Sequence, residues 1–68
     1  MQIRLAEQIK KLRKREGISQ AELAKAIGTS KSFFGEVETG KSSVSIETLV
    51  LLAQYFDVTT DFLIGYKD

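Results

Sequence analysis

The sequence predicts an all-α domain of five short helices around one small core. Three observations predict it. Apolar residues recur at three- and four-residue spacing rather than in alternation. Serine or threonine stands at the start of four of these apolar segments, and glycine at the end of most of them, where helices begin and stop. Proline is absent, and β-branched residues never alternate for long enough to build a strand.

Leu5, Ile9 and Leu12 share one helical face, which predicts a first helix over residues 2–16 that ends before Gly17. Ser19 followed by Glu22 is a capping box, so a second helix runs over 20–27 and buries Leu23, Ala24 and Ile27. Gly28 stops it where a positive φ is wanted. Ser30 caps a third helix over 31–39, closed by Gly40. The run KSSVS is a loop, and Ser45 caps a fourth helix over 46–56 with Leu49, Leu52, Ala53 and Phe56 as its core stripe. Asp57-Val58 breaks that helix, and Thr59 or Thr60 caps a last short one through Phe62, Leu63 and Ile64 to Gly65.

A chain of 68 residues has room for one domain, residues 1–68, with no separate effector or ligand-sensing domain. Its hydrophobic content of 43% with 28% charged residues is that of a globular protein rather than a disordered one. Cysteine and histidine are both absent, which excludes disulfides and the common zinc sites, and no cofactor or metal is expected. No apolar run approaches the roughly 20 residues that span a bilayer, and the charged N-terminus does not resemble a secretory signal. The expectation is a soluble, cytoplasmic protein with no membrane partner. An enzyme is not expected either. There is no His or Cys, no phosphate-binding glycine loop, and the carboxylates are scattered along the helices.

The net charge of +1 hides a division along the chain. Residues 1–45 carry nine Lys or Arg against five Glu, a charge of +4, whereas residues 46–68 carry −3. A bipolar domain can set its positive end on a polyanion and leave the other end for a different contact. Charge alone equally allows KKLRKRE to be a solvated helix face.

Residues 19–40, SQAELAKAIGTSKSFFGEVETG, have the layout of a DNA-binding helix-turn-helix: two capped helices with a three-residue turn at Gly28. In the third helix Phe34, Val37 and Glu38 fall on one side, and Ser32, Glu36 and Thr39 on the other. Gly35 lies beside the polar side, Lys31 at its N-terminal end, and Phe33 on the boundary. A helix anchored on one side and small and polar on the other suits a major groove about 12 Å wide. Periodicity alone also fits a surface helix that meets only water.

The run Gln20-Ala21-Glu22-Leu23-Ala24, then Gly28, Phe34, Val37, Glu38 and Gly40, resembles the phage-repressor/Cro-like (XRE-type) helix-turn-helix family of transcriptional regulators. Ser45-Ile46-Glu47-Thr48-Leu49, with Leu52-Ala53 and Phe56-Asp57-Val58, resembles that family's fourth helix. The likeness extends from about Ile9 to Gly65. It implies a compact lambda-repressor-like fold and a sequence-specific double-stranded DNA-binding regulator, in its simplest form a repressor on a palindromic operator.

The resemblance also implies roles. Lys31, Ser32, Gly35 and Glu36 occupy base-facing positions of the recognition helix, and Gln20, Thr39 and Lys41 match positions that contact the DNA backbone. Arg13 and Glu38 match an internal salt bridge between the first and third helices; a DNA-facing Arg13 is the alternative. The chain departs from the family pattern at Gly35 and Glu36, where Arg, Gln or Ser is frequent. Glu36 cannot donate to guanine, but it can accept from a cytosine amino group.

One recognition helix makes few base contacts, so a homodimer on half-sites about 34 Å apart is expected. Leu51 and Tyr55 lie opposite the fourth helix's core stripe, and with Phe62 and Tyr66 they are the candidate interface. No small-molecule ligand is evident. Two other functions fit: the antitoxin of a toxin–antitoxin pair, and a protein-interaction module of the same fold without DNA binding.

Overall fold

A computed structural model of the protein describes residues 4–65. It contains five helices in the order α1 (Leu5–Glu16), α2 (Gln20–Ile27), α3 (Lys31–Glu38), α4 (Ile46–Phe56) and α5 (Thr60–Ile64), with no strand among the described residues.

Four of the five helices start in the same way. Ser19, Ser30, Ser45 and Thr59 have extended backbones, and each side-chain oxygen accepts the amide three residues on. Each cap satisfies one of the amides that a helix start leaves unbonded. At Ser19 the capping box is complete, because the Glu22 carboxylate also accepts the Ser19 amide at 2.9 Å. The Ser19 amide first, and the Ser19 hydroxyl after it, lower the pKa of the Glu22 carboxyl by hydrogen bonding to it.

α1 departs from this pattern and from the expected start at residue 2. Its first described residue, Arg4, is the N-cap and makes no side-chain cap. Instead the Arg4 amide donates to the Ile64 carbonyl at 2.6 Å, and the Gln8 amide group donates to the Phe62 carbonyl at 2.9 Å. The start of α1 is thus tied to the end of α5. Gly65 makes this fit possible: its φ is +68°, and a Cβ there would lie 2.9 Å from the Arg4 Cβ.

The core comprises Ile9, Leu12, Leu23, Ala24, Phe34, Val37, Leu52, Ala53, Phe56 and Leu63. Every helix contributes to it. α3 packs on α1 and α2, α5 on α1 and α4, and α4 also meets α2. Leu5, Ile27 and Leu49, expected inside, are partly buried around this centre, as are Ile18, Phe33, Val44 and Val58. α3 lies at the junction of α1 and α2, which fixes its inner side and leaves its outer side free.

Candidate nucleic-acid interface

The turn between α2 and α3 is built by one glycine and one serine. Gly28 takes φ +90°, and its amide donates to the Ala24 carbonyl at 2.9 Å. A residue with a Cβ is strained in that conformation, although nothing lies within 4 Å of where the Cβ would be. The Thr29 amide reaches the same carbonyl at 2.8 Å, closing α2, and the Ser30 hydroxyl accepts the Phe33 amide at 3.1 Å, opening α3.

Phe34 and Val37 hold α3 in the core at 0% and 1% exposure. Lys31, Ser32 and Glu36 are exposed and Gly35 is partly exposed, so the four base-facing candidates share accessible surface. Phe33 is partly buried and packs edge-on against Phe34, with ring centroids 5.7 Å apart. Its ring therefore belongs to the margin of the core.

α3 ends at Glu38, one residue earlier than expected, with Thr39 as its C-cap. The Thr39 hydroxyl donates to the carbonyls of Gly35 and Glu36 at 3.1 and 3.0 Å. Thr39 remains exposed, as does Lys41 in the following loop. The Glu36 carboxylate is tethered as well: the Ser42 hydroxyl donates to its Oε1 at 2.9 Å. One carboxylate oxygen is thereby engaged, and Oε2 makes no bond to another described side chain.

Behind this surface lies the ion pair. Arg13 Nε donates to Glu38 Oε2 at 2.8 Å, and Nη2 donates to Oε1 at 3.1 Å. The Glu38 side chain is only 4% exposed. Arg13 Nη1 also donates to the Ile18 carbonyl at 3.0 Å, which ties the α1–α2 turn to α3. Burial alone would raise the Glu38 pKa. Hydrogen bonds from Arg13 and Gln20, with the charges of Arg13 and Lys10, outweigh burial and hold it below the usual 4.5. Donating these hydrogen bonds to Glu38 in turn raises the Arg13 pKa.

Gln20 joins this network: its Nε2 donates to Glu38 Oε1 at 3.2 Å. The backbone-contact candidate at the start of α2 is therefore held by the buried pair, with one N–H still available. Sequence spacing alone did not reveal this link, nor the Ser42–Glu36 bond, since Gln20 and Glu38 lie 18 residues apart and Ser42 lies in an irregular loop. The two elements that bring them together are α2 and the segment after α3.

Of the candidate dimer residues, Leu51 and Tyr55 are each 45% exposed and Phe62 is 48% exposed; Tyr66 lies outside the described residues. Ile46 and Val50, elsewhere on α4, are 80% and 40% exposed. No helix among the described residues is long and apolar enough to cross a membrane. No group of three or more potential metal-ligating side chains occurs among them either.

The helix-turn-helix family model matches residues 9–63, which cover α2, α3 and every core residue named above. An uncharacterised helix-turn-helix transcriptional regulator of Bacillus subtilis, YobD, is 32% identical over 62 residues, 91% of this chain and 55% of YobD. The chain thus spans about half the length of that relative. The crystal structure of a transcriptional regulator from Listeria innocua superimposes on all of the chain and 64% of its own, with a TM-score of 0.94 and 28% identity. The P22 c2 repressor, in complex with a synthetic operator, superimposes over 94% of this chain and 96% of its own, with a TM-score of 0.84 and 28% identity. With its five-helix fold and a match across more than half its length, this chain belongs to the helix-turn-helix family.

Proposed function

We propose that this chain binds double-stranded DNA sequence-specifically and regulates transcription, in its simplest form as a repressor that occupies a palindromic operator as a dimer. One observation carries the proposal. The outer side of α3 presents Lys31, Ser32, Gly35 and Glu36 to solvent on a helix whose other side is locked by Phe34 and Val37. The likeness to the operator-bound P22 c2 repressor supports the same reading.

In this reading α3 enters the major groove. Lys31 and Ser32 stand at its N-terminal end as donors to base edges, and Glu36 is an acceptor for a cytosine amino group. Gln20 offers its second N–H to a phosphate, while Thr39 and Lys41 flank the opposite end of α3. These contacts set register and affinity; the base-facing set selects sequence. The family is one of DNA-binding regulators rather than enzymes, and a cytoplasmic location belongs to the same proposal.

Selection of binding sites from random-sequence duplexes tests the reading. A palindromic consensus with half-site centres about 34 Å apart is the expected result. Binding to the selected duplex should also weaken steeply with salt. A flat selection would overturn the proposal in favour of a protein-interaction module.

A further inference from the structure

Gly35 is a glycine inside a helix, and nothing among the described residues calls for one there. Its φ is not positive, so the backbone suits any L residue. A Cβ at this position would meet only the Gln20 Oε1, at 4.0 Å, an ordinary van der Waals separation. Alanine therefore fits, and it is the better helix former. The bare backbone at Gly35 weakens α3 without serving the fold.

The position also offers no hydrogen bond. The Gly35 carbonyl already accepts from the Thr39 amide at 3.2 Å and from the Thr39 hydroxyl at 3.1 Å. Its amide lies in the helical ladder of α3. What remains at the surface is the apolar Cα, four residues from Lys31 on one side and four from Thr39 on the other, on one helix flank with Gln20 beside it. In the major groove the apolar group on a base edge is the C5-methyl of thymine.

We infer that Gly35 is a specificity-determining position, whose bare Cα receives a thymine methyl between Lys31 and Thr39. The inference rests on the DNA-binding reading above. Glycine here brings the helix backbone closer to the base than any other residue can, and it selects thymine by shape rather than by hydrogen bonding.

The test uses the full chain and the duplex that the wild-type protein selects from random-sequence DNA. Each thymine of the consensus is replaced in turn by uracil, which removes only the methyl group. One replacement should weaken wild-type binding by roughly three- to ten-fold. Gly35→Ala should raise the melting temperature by roughly 4–8 °C. On the thymine duplex it should bind at least about ten-fold more weakly than wild type, and on the matching uracil duplex about equally well.

A Gly35→Ala protein that binds the thymine duplex as tightly as wild type overturns the inference, and leaves the DNA-binding reading in place. So does an equal loss on both duplexes. A lowered melting temperature would show that the fold itself needs the glycine, which also overturns it. A flat selection removes the DNA-binding reading and this inference together.

Discussion

Glu38 holds three donors at once, two from Arg13 and one from Gln20, with its side chain almost wholly out of water. Removing it strands the Arg13 guanidinium beside the core. Truncating one member of a buried pair costs on the order of 3–5 kcal/mol, because the other charge is left uncompensated. Glu38→Ala should therefore lose most of the stability of a domain this small, with a correspondingly low urea midpoint or no cooperative transition at all. An unchanged midpoint would show that the pair is dispensable. The pH dependence follows from the same contacts. The folded-state pKa of Glu38 lies below its usual 4.5, so its contribution is fully present above that value and is lost as pH falls through the depressed folded value. Arg13 stays charged across this window and adds no slope. The urea midpoint of the wild-type protein should fall as the pH drops below the ordinary Glu value of 4.5, and Glu38→Gln should flatten that fall.

Helix ends in this molecule are of two kinds, local and tertiary. The local kind is carried by side chains a few residues away: Ser19→Ala removes the capping box and should cost about 1 kcal/mol. For a domain of this size that is a melting temperature lower by roughly 4–8 °C. At the end of α4, Asp57 occupies the left-handed region at φ 56°, ψ 49°. It places a negative charge against the helix C-terminus, where the macrodipole disfavours it. Asp57→Asn keeps a residue tolerant of that conformation and removes the charge. Its expected gain is about 0.3–1 kcal/mol, read as a higher thermal midpoint that shrinks with added salt. Local ends of this kind were legible in the sequence, which is why the bounds of α2 and α4 match their Ser caps and the Gly28 and Asp57 stops. The start of α1 was not, because Arg4 and Gln8 bond to carbonyls of α5, more than fifty residues away. Within the site, the register of Phe34, Val37 and Glu38 was legible from the helical period. The placement of Gln20 against Glu38 and of Ser42 against Glu36 was not, since both depend on how separate segments meet. In α4 the inward stripe of Leu52, Ala53 and Phe56 was legible from the helical period, whereas the exposure of the apolar Ile46 and Val50 depends on which flanks α2 and α5 cover.

At the scale of the whole molecule, charge and apolarity lie at opposite ends of the chain. The basic surplus belongs to residues 1–45, which include the DNA-facing candidates. Among the described residues the large exposed apolar side chains, Ile46, Val50, Leu51, Tyr55 and Phe62, all belong to α4 and α5 in the acidic remainder. Scattered apolar residues on a surface need no explanation, but Leu51 and Tyr55, one turn apart and opposite the core stripe of α4, with Phe62 on the neighbouring α5, are the kind of surface that associates. An isologous contact through α4 and α5 would cover it twice, once on each copy. It would also leave both α3 helices uncovered, and such a dimer would place two recognition helices on one duplex. Binding of the second half-site then becomes intramolecular, which raises apparent affinity by roughly 10²-fold or more without any new base contact. Leu51→Asp tests this arrangement, because Leu51 is 45% exposed and lies outside the core, so an isolated copy can hold its fold with the charge in water. The variant should keep its helical circular dichroism, sediment as a monomer where the wild type sediments as a dimer, and bind the selected duplex roughly 10²-fold more weakly. Wild-type protein that sediments only as a monomer, both free and on the selected duplex, would remove the dimer. A variant that stays dimeric would move the contact away from Leu51.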